Sequence, residues 1–384
     1  MATVTGVPAA PGVTVASPDM AVPQGAALVP FRRATLRKTE QGSSLTGTIA
    51  ANSIPLNDVL EGTGFLESVD LFVDAVTAGN AAAVAYAADA PWSALSSVVF
   101  KDVGPDLINV SGYALFLANL YGGYGLRNPA LSTDTNIYQL ISGGGATGGS
   151  FRYHLRLPLA INDRSLIGLL GNQDRAVKYE TRTDLASSAS IYTTAPTNPA
   201  TFQVRKFLQF ATVPSPLSAD RKPQEQIPPY YGVIHLLNEL RSEAAPVSNS
   251  TVNHFLRSIG NTIRYIVLVL RDSTGARSDA MLPSRITFRV GSEPVFSETG
   301  AHRRKLMYDR YGFDAPAGVL VYDFIRDFTT NAGFELGDDW LNTQAVANAQ
   351  FEVSYPTFAS TPGTLNVITD SLVIPSGLDI NAYV

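Results

Sequence analysis

The feature of this 384-residue chain that most restricts its fold is a weak internal duplication. Residues 95–123 read LSSVVFKDVGPDLINVSGYALFLANLYGG, and residues 282–312 read LPSRITFRVGSEPVFSETGAHRRKLMYDRYG. Each segment opens with Leu and a nearby Ser. A β-rich run then ends in Phe100 or Phe288, each followed by a basic residue. A polar turn leads to Ser111-Gly112 in one half and Thr299-Gly300 in the other, with the same Phe-to-Gly spacing. A helix-compatible stretch follows and closes on Tyr121-Gly122 or Tyr311-Gly312. One long strand precedes each copy, at 65–76 and 262–270, and another follows, at 151–159 and 319–328. The same ordered set twice over implies two tandem copies of one β sandwich, each burying the inner faces of two sheets. The seam between them is expected in the Pro-rich stretch 211–232.

Side-chain alternation supports an all-β body. Phe151, Tyr153, Leu155 and Leu157 alternate with Arg152, His154 and Arg156, the pattern of a strand with one buried face. Val69, Leu71 and Val73 likewise alternate with Asp70, Phe72 and Asp74. The run TIRYIVLVL at 262–270 is more uniformly apolar and predicts a central strand. Gly-, Pro-, Ser- and Thr-rich connections at 142–150, 186–201, 212–229 and 356–364 separate these runs, as in sandwiches or barrels rather than βαβ units. Short helices are expected at 165–170, at 250–259 (Val252, Phe255, Leu256 and Ile259 fall at helical spacing) and at 301–310. The polar stretches 124–149 and 181–201 are read as long exposed loops.

Charge narrows the function. Only 16% of residues are charged, below the usual share of about a quarter, and the formal net charge is −5. With no basic tail or Arg-rich block, direct nucleic-acid binding is not expected. Cysteine is absent, which excludes disulfides, thiolate metal sites and Cys nucleophiles. The first 30 residues lack the charged and apolar regions of a signal peptide, and no window offers roughly 18 uninterrupted apolar residues for a membrane span. Pro8, Pro11, Pro18, Pro23 and Pro30 exclude a continuous helix there, leaving a disordered tail or an extended arm ordered by neighbours.

Catalytic signatures are not found. His154, His235, His254 and His302 are scattered, with no metal-ligand partner at short spacing. The run GGGATGG at 143–149 lacks the Lys and Ser/Thr of a phosphate loop and reads as a flexible connection. Glu335, Asp338 and Asp339, and Asp323 with Asp327, are close in sequence, and a glycosidase needs two carboxylates facing across a cleft. They are read as turn residues and as the outward face of a strand. Calcium binding at 335–339 has no EF-hand spacing behind it. No cofactor or metal is expected.

Several stretches resemble the major capsid proteins of tailless, membrane-containing icosahedral phages of the tectivirus type. They are DAPWSALSSVVF at 89–100 with 112–119, and GSFRYHLRLPLAINDRSLIGLL at 149–170. In the second half they are 231–240, 251–259, 262–270, and the basic segment 303–310 leading to 318–321. The resemblance covers roughly 60–384 and lies more in order and spacing than in identity. It implies a double jelly roll: two tandem eight-stranded sandwiches with short helices and long loops. On that basis the chain divides into an extended arm at 1–45, a first jelly roll at 46–225 and a second at 226–384.

The resemblance further implies a non-enzymatic coat subunit that forms a homotrimer of pseudo-hexagonal outline. Such trimers would tile an icosahedral shell with neighbouring capsomers, over an internal membrane. Penton and other minor capsid proteins would be further partners. The protein would reside in the virion, and in the host cytoplasm during assembly. Family members can begin with an amphipathic helix beneath the shell, which the Pro-rich start here cannot form. Two readings of the basic cluster Arg32, Arg33, Arg37 and Lys38 therefore stand, membrane-facing or simply solvated beside Glu40. Tyr121, Tyr124, Tyr230 and Tyr231 are read as a subunit interface, where aromatics with a polar end are favoured. The competing function is a carbohydrate-binding or glycoside-hydrolysing double sandwich, which would use those tyrosines with Trp92, Trp340 and acidic groups. A minor capsid or vertex protein is the third.

Overall fold

The computed structural model describes residues 28–375, apart from 51–52, 78, 80–81, 103, 125–131, 162–165, 174–178, 243–247, 257–258, 326–339, 345 and 358–362. Sixteen strands carry the architecture. The first eight are β1 (Arg37–Thr48), β2 (Ile54–Val59), β3 (Phe65–Val76), β4 (Leu95–Lys101), β5 (Asp106–Val110), β6 (Phe151–Pro158), β7 (Glu180–Leu185) and β8 (Thr201–Ala211). The second eight are β9 (Ile234–Ser242), β10 (Thr251–Phe255), β11 (Thr262–Arg271), β12 (Arg285–Val290), β13 (Glu293–Glu298), β14 (Val319–Asp323), β15 (Ala349–Ser354) and β16 (Thr364–Val373).

Hydrogen-bonded neighbours run β1-β8-β3-β6 in one sheet of the first half and β2-β7-β4-β5 in the other. The second half gives β9-β16-β11-β14 and β10-β15-β12-β13. Each strand thus has a counterpart eight places further on, and each half is an eight-stranded jelly roll.

The local causes repeat along with the topology. Phe100 and Phe288, the matched phenylalanines, are both fully buried. A helix joins strands five and six of each roll: α1 (Gly112–Tyr121) in the first and α2 (Gly300–Tyr311) in the second. Ser111 Oγ accepts from Ala114 N at 3.2 Å, and Thr299 Oγ1 accepts from His302 N at 3.1 Å, so equivalent hydroxyls cap both helices. Gly112 is required sterically, since a Cβ there would lie 2.3 Å from the Trp92 carbonyl oxygen. α2 stops at Gly312, whose φ of 74° suits glycine.

The two rolls share one sheet. β5 pairs in parallel with β9, Leu237 opposite Ile108 and Asn238 opposite Asn109, so the edge of one roll continues into the other. Parallel pairing of the fifth strand of one roll with the first strand of the next has a geometric consequence. Both rolls point the same way, and the connections after strands one, three, five and seven of each emerge at one common end. The start of β1, the 212–233 link and the end of β16 lie at the opposite end.

The second roll keeps its own core around Phe288, Phe351, Ile266 and Leu268. The first roll's core extends across the seam to Tyr265, Val267, Val269, Val321 and Ile368 of the second. β11 therefore packs on both faces, which is why its sequence is apolar without alternation.

Some expectations fail. Residues 251–255 form strand β10, paired with β15, and not a helix. The helical spacing of Val252 and Phe255 is overridden by cross-strand pairing, with Phe255 exposed and His254 turned in. The expected helix at 165–170 is, from 166 on, a turn entering a two-residue strand that pairs with Phe65 and Leu66. The stretch 181–201 is no loop, for it holds most of β7, a helical turn at Ser188–Ile191 and the strand Tyr192–Thr194. The arm expected over 1–45 ends earlier, because Arg37–Thr48 already pairs with β8 as β1. The expected strand at 319–328 is seen as Val319–Asp323, with 326–328 outside the described residues.

Candidate functional site

The site of interest is the seam between the rolls, together with the surfaces it leaves open. A buried ionic cluster lies at its centre. His235 on β9, Arg264 on β11 and Asp370 on β16 all turn toward the first roll and meet Tyr124, just past α1. Arg264 and Asp370 are 0% exposed, His235 2% and Tyr124 4%. Arg264 Nη1 donates to both Asp370 oxygens at 3.1 Å and to Tyr124 Oη at 2.6 Å. Tyr124 in turn donates to Asp370 Oδ2 at 2.6 Å. His235 Nε2 lies 3.0 Å from the same oxygen, and its Nδ1 lies 2.7 Å from the Pro158 carbonyl at the end of β6. Burial alone would raise the Asp370 carboxyl, but the Arg264 and His235 charges overcome it and hold the group well below the ordinary carboxylate range.

Further ties flank this cluster. Tyr265 Oη donates to the Ala118 carbonyl of α1 at 3.2 Å. Ser111 Oγ donates to Glu239 Oε2 at 2.7 Å, and Asn366 holds the other Glu239 oxygen at 2.8 Å. Asp89 of the first roll receives Arg271 and Arg277 of the second, each at 2.6 Å. An open cleft of about 570 Å³ runs along this line, and Asp89 and Glu239 are its carboxylates. Both are engaged in cross-seam bonds, so neither is placed as a general acid or nucleophile.

The expected interface tyrosines divide. Tyr121 is 0% exposed, Tyr124 4% and Tyr230 8%, so these three are buried within the chain and not available to a neighbour or a sugar. Tyr121 packs edge-on against Tyr311 with ring centres 4.9 Å apart and stacks near Phe313. It does form an interface, but one between the two rolls of a single chain. Tyr231 is 51% exposed. Trp92 and Trp340 are buried too and present no exposed platform. Asp323, expected on an outward face, instead has its carboxylate covered, paired with Arg310 at 2.6 Å and bonded by Tyr311. Asp327, Glu335, Asp338 and Asp339 lie outside the described residues.

The basic cluster is placed at the end of the molecule opposite the long connections. Arg32 and Arg33 lie on one exposed helical turn, Phe31–Ala34, anchored by Phe31 against Phe65 at 5.2 Å. Arg37 and Lys38 open β1, and Arg37 pairs with Glu67.

Sequence reasoning missed Arg264, Asp370 and His235. Only Arg264 carried a signal, as a charged residue inside the apolar run TIRYIVLVL; His235 and Asp370 lie in strands of mixed polarity (IHLLNELRS and TLNVITDSLV), where nothing local sets them apart.

The arrangement defines a class, a double jelly roll with both rolls in one orientation and joined edge to edge. Solved structures share it. The major capsid protein of Sulfolobus turreted icosahedral virus is similar with a TM-score of 0.63 and 14% identity, over 89% of this chain and all of that one. The PBCV-1 virus capsid is similar with a TM-score of 0.61 and 13% identity, over 89% of this chain and 95% of the other. The major capsid protein P2 of bacteriophage PM2 gives 0.52 and 12%, over 89% and 99%. No protein-family model matches the chain, and no curated protein does. At these identities the likeness establishes the fold.

Proposed function

We propose that the chain is the major capsid protein of an icosahedral virus. The observation that carries this reading is the double jelly roll itself, matched over 89% of this chain by viral major capsid proteins. In this role function is geometric. Two similar rolls in one chain give three copies six similar edges, so a trimer of pseudo-hexagonal outline can tile a shell. Shell neighbours, penton and minor capsid proteins are its partners, and the virion is its site, reached from the host cytoplasm.

The common direction of the rolls supports an orientation. The end carrying the connections after β3, β5 and β11 is the outer one, while the end carrying Arg32, Arg33, Arg37 and Lys38 is the inner one. Near an anionic membrane an exposed cation gains about 1 kcal/mol, which applies to Arg32, Arg33 and Lys38 but not to Arg37, whose charge Glu67 offsets. Residues 1–27 serve as an arm to neighbouring capsomers. Light scattering of the purified protein tests the reading. Three times the 41.0 kDa chain mass is the expected result, and a monomer at every concentration refutes it.

A further inference from the structure

We infer that the exposed face of α2 docks on the outer face of the β1-β8-β3-β6 sheet of a second copy, repeating between chains the contact that α1 makes within one. This rests on the trimer reading and names the surfaces that would close it.

The argument starts from the unequal fate of two equivalent helices. α1 packs on its own sixth strand, where Asn119 Oδ1 accepts from Arg156 N at 2.7 Å. Its other side is covered by the second roll: Tyr265 bonds the Ala118 carbonyl, and the Arg277 guanidinium lies 4.9 Å from the Tyr113 ring centre. Every residue of α1 is buried as a result.

α2 packs on its own equivalent strand, β14, through Met307 and through Arg303, which donates to the Val321 carbonyl. Its other side is open. Leu306 is 39% exposed and Tyr308 51%, beside Ala301, His302, Lys305 and Asp309. Matching Gly112 to Gly300 places Leu306 where α1 has Ala118, the residue in contact with Tyr265. The side that is apolar and covered in α1 is thus the side left uncovered in α2.

The sheets show the complementary imbalance. In the second roll, the face of β9-β16-β11-β14 turned toward the first roll is covered over its middle, where Leu237, Tyr265, Val267, Val321, Ile368 and Leu372 join the first roll's core. In the first roll, the corresponding face of β1-β8-β3-β6 remains partly exposed. Its middle is aromatic: Phe72 meets Phe207 at 5.2 Å and stacks on His154 at 4.5 Å. Charged pairs border it, Asp70 with Arg156 at 2.8 Å and Asp74 with Arg152 and Arg205. Aromatic residues in the middle and polar groups at the rim are the usual anatomy of a protein interface.

One helix face without a sheet and one equivalent sheet face without a helix make a heterologous pair. Such a pair cannot satisfy itself inside one chain, and it generates a ring when copies are related by rotation. With three chains, contacts within and between chains alternate around six rolls.

The absence of cysteine makes the test specific. Leu306→Cys on α2 is combined with Phe207→Cys on the sheet, or with Gln203→Cys should the Phe207 change prevent folding. A flexible bismaleimide is added, and denaturing gels are read. Covalent dimers and trimers from the double variant, but from neither single variant, are the expected result. The unlinked Leu306→Asp/Tyr308→Asp variant should also fall from trimer to monomer in light scattering. A wild-type trimer whose double-cysteine variants do not cross-link, and whose Asp variant stays trimeric, overturns the docking but leaves the capsomer reading intact. A wild-type monomer overturns both.

Discussion

Replacing Asp370 by Asn tests the seam at its most buried charge. Asn preserves size but removes the charge, leaving the fully buried Arg264 guanidinium against a neutral amide. Breaking one partner of a buried ion pair costs about 3–5 kcal/mol, because the remaining charge has lost its compensation. The loss should appear as a lower denaturant midpoint at neutral pH, followed by the fluorescence of buried Trp92 and Trp340. The double variant Asp370→Asn/Arg264→Met removes both charges, and should be less destabilised than the sum of its single changes by at least about 1 kcal/mol. The pH dependence has a definite sign. The Asp370 carboxyl is held below its ordinary value of 3.8, so its contribution is complete above that pH and is lost as pH falls further. The gap between wild type and Asp370→Asn should therefore narrow at about pH 3 and below. An Asn variant within about 1 kcal/mol of wild type at neutral pH would refute the assignment of the cluster as a seam-holding element.

Other expected outcomes follow from single contacts. Gly112→Ala forces a Cβ to 2.3 Å from the Trp92 carbonyl oxygen, so it should cost about 1–3 kcal/mol and lower the melting temperature. Lys206 is fully buried inside the first roll near Asp58 and Thr181, and burial pushes its amine down to about 8 against the opposing pull of Asp58. Wild-type stability should consequently rise relative to Lys206→Met between about pH 8 and 10.5, as the folded amine sheds its proton before the unfolded one; parallel melting curves across that window would contradict this. His254 is pushed down to about 4 by burial, so wild type should lose stability relative to His254→Gln as pH falls from 6.5 toward 4, measurable by thermal melts. Deleting residues 1–27 should spare trimers in light scattering and reduce particle yield under the electron microscope; normal particle yield would remove the arm from assembly.

Much of the architecture was legible because it is written in short-range pattern. Alternation at 151–158 marks a strand with one half-buried face, alternation at 65–76 marks a strand whose polar side is closed by ion pairs, and the recurring Phe-to-Gly interval marks a turn, a hydroxyl cap and a helix in each roll. Residues 250–259 were misread because apolar residues at helical spacing also fit a short strand, and pairing with β15 decides between them. Tyr121, Tyr124 and Tyr230 are buried within the chain, and the sequence does not show this for a related reason. An aromatic ring with a hydroxyl suits an interface between chains and an interface within a chain equally, and no local signal separates the two.

The sequence by itself determined that this protein is two β sandwiches in tandem, since strand periodicity and cap residues act over a few positions. Only the tertiary structure decided how the rolls join: the parallel pairing of β5 with β9, the burial of α1 but not α2, and the meeting of Tyr124, His235, Arg264 and Asp370. The physical reason is separation along the chain. Tyr124 and Asp370 bond across 246 positions, and whether a buried charge is tolerable depends on a partner that only the folded chain brings to it.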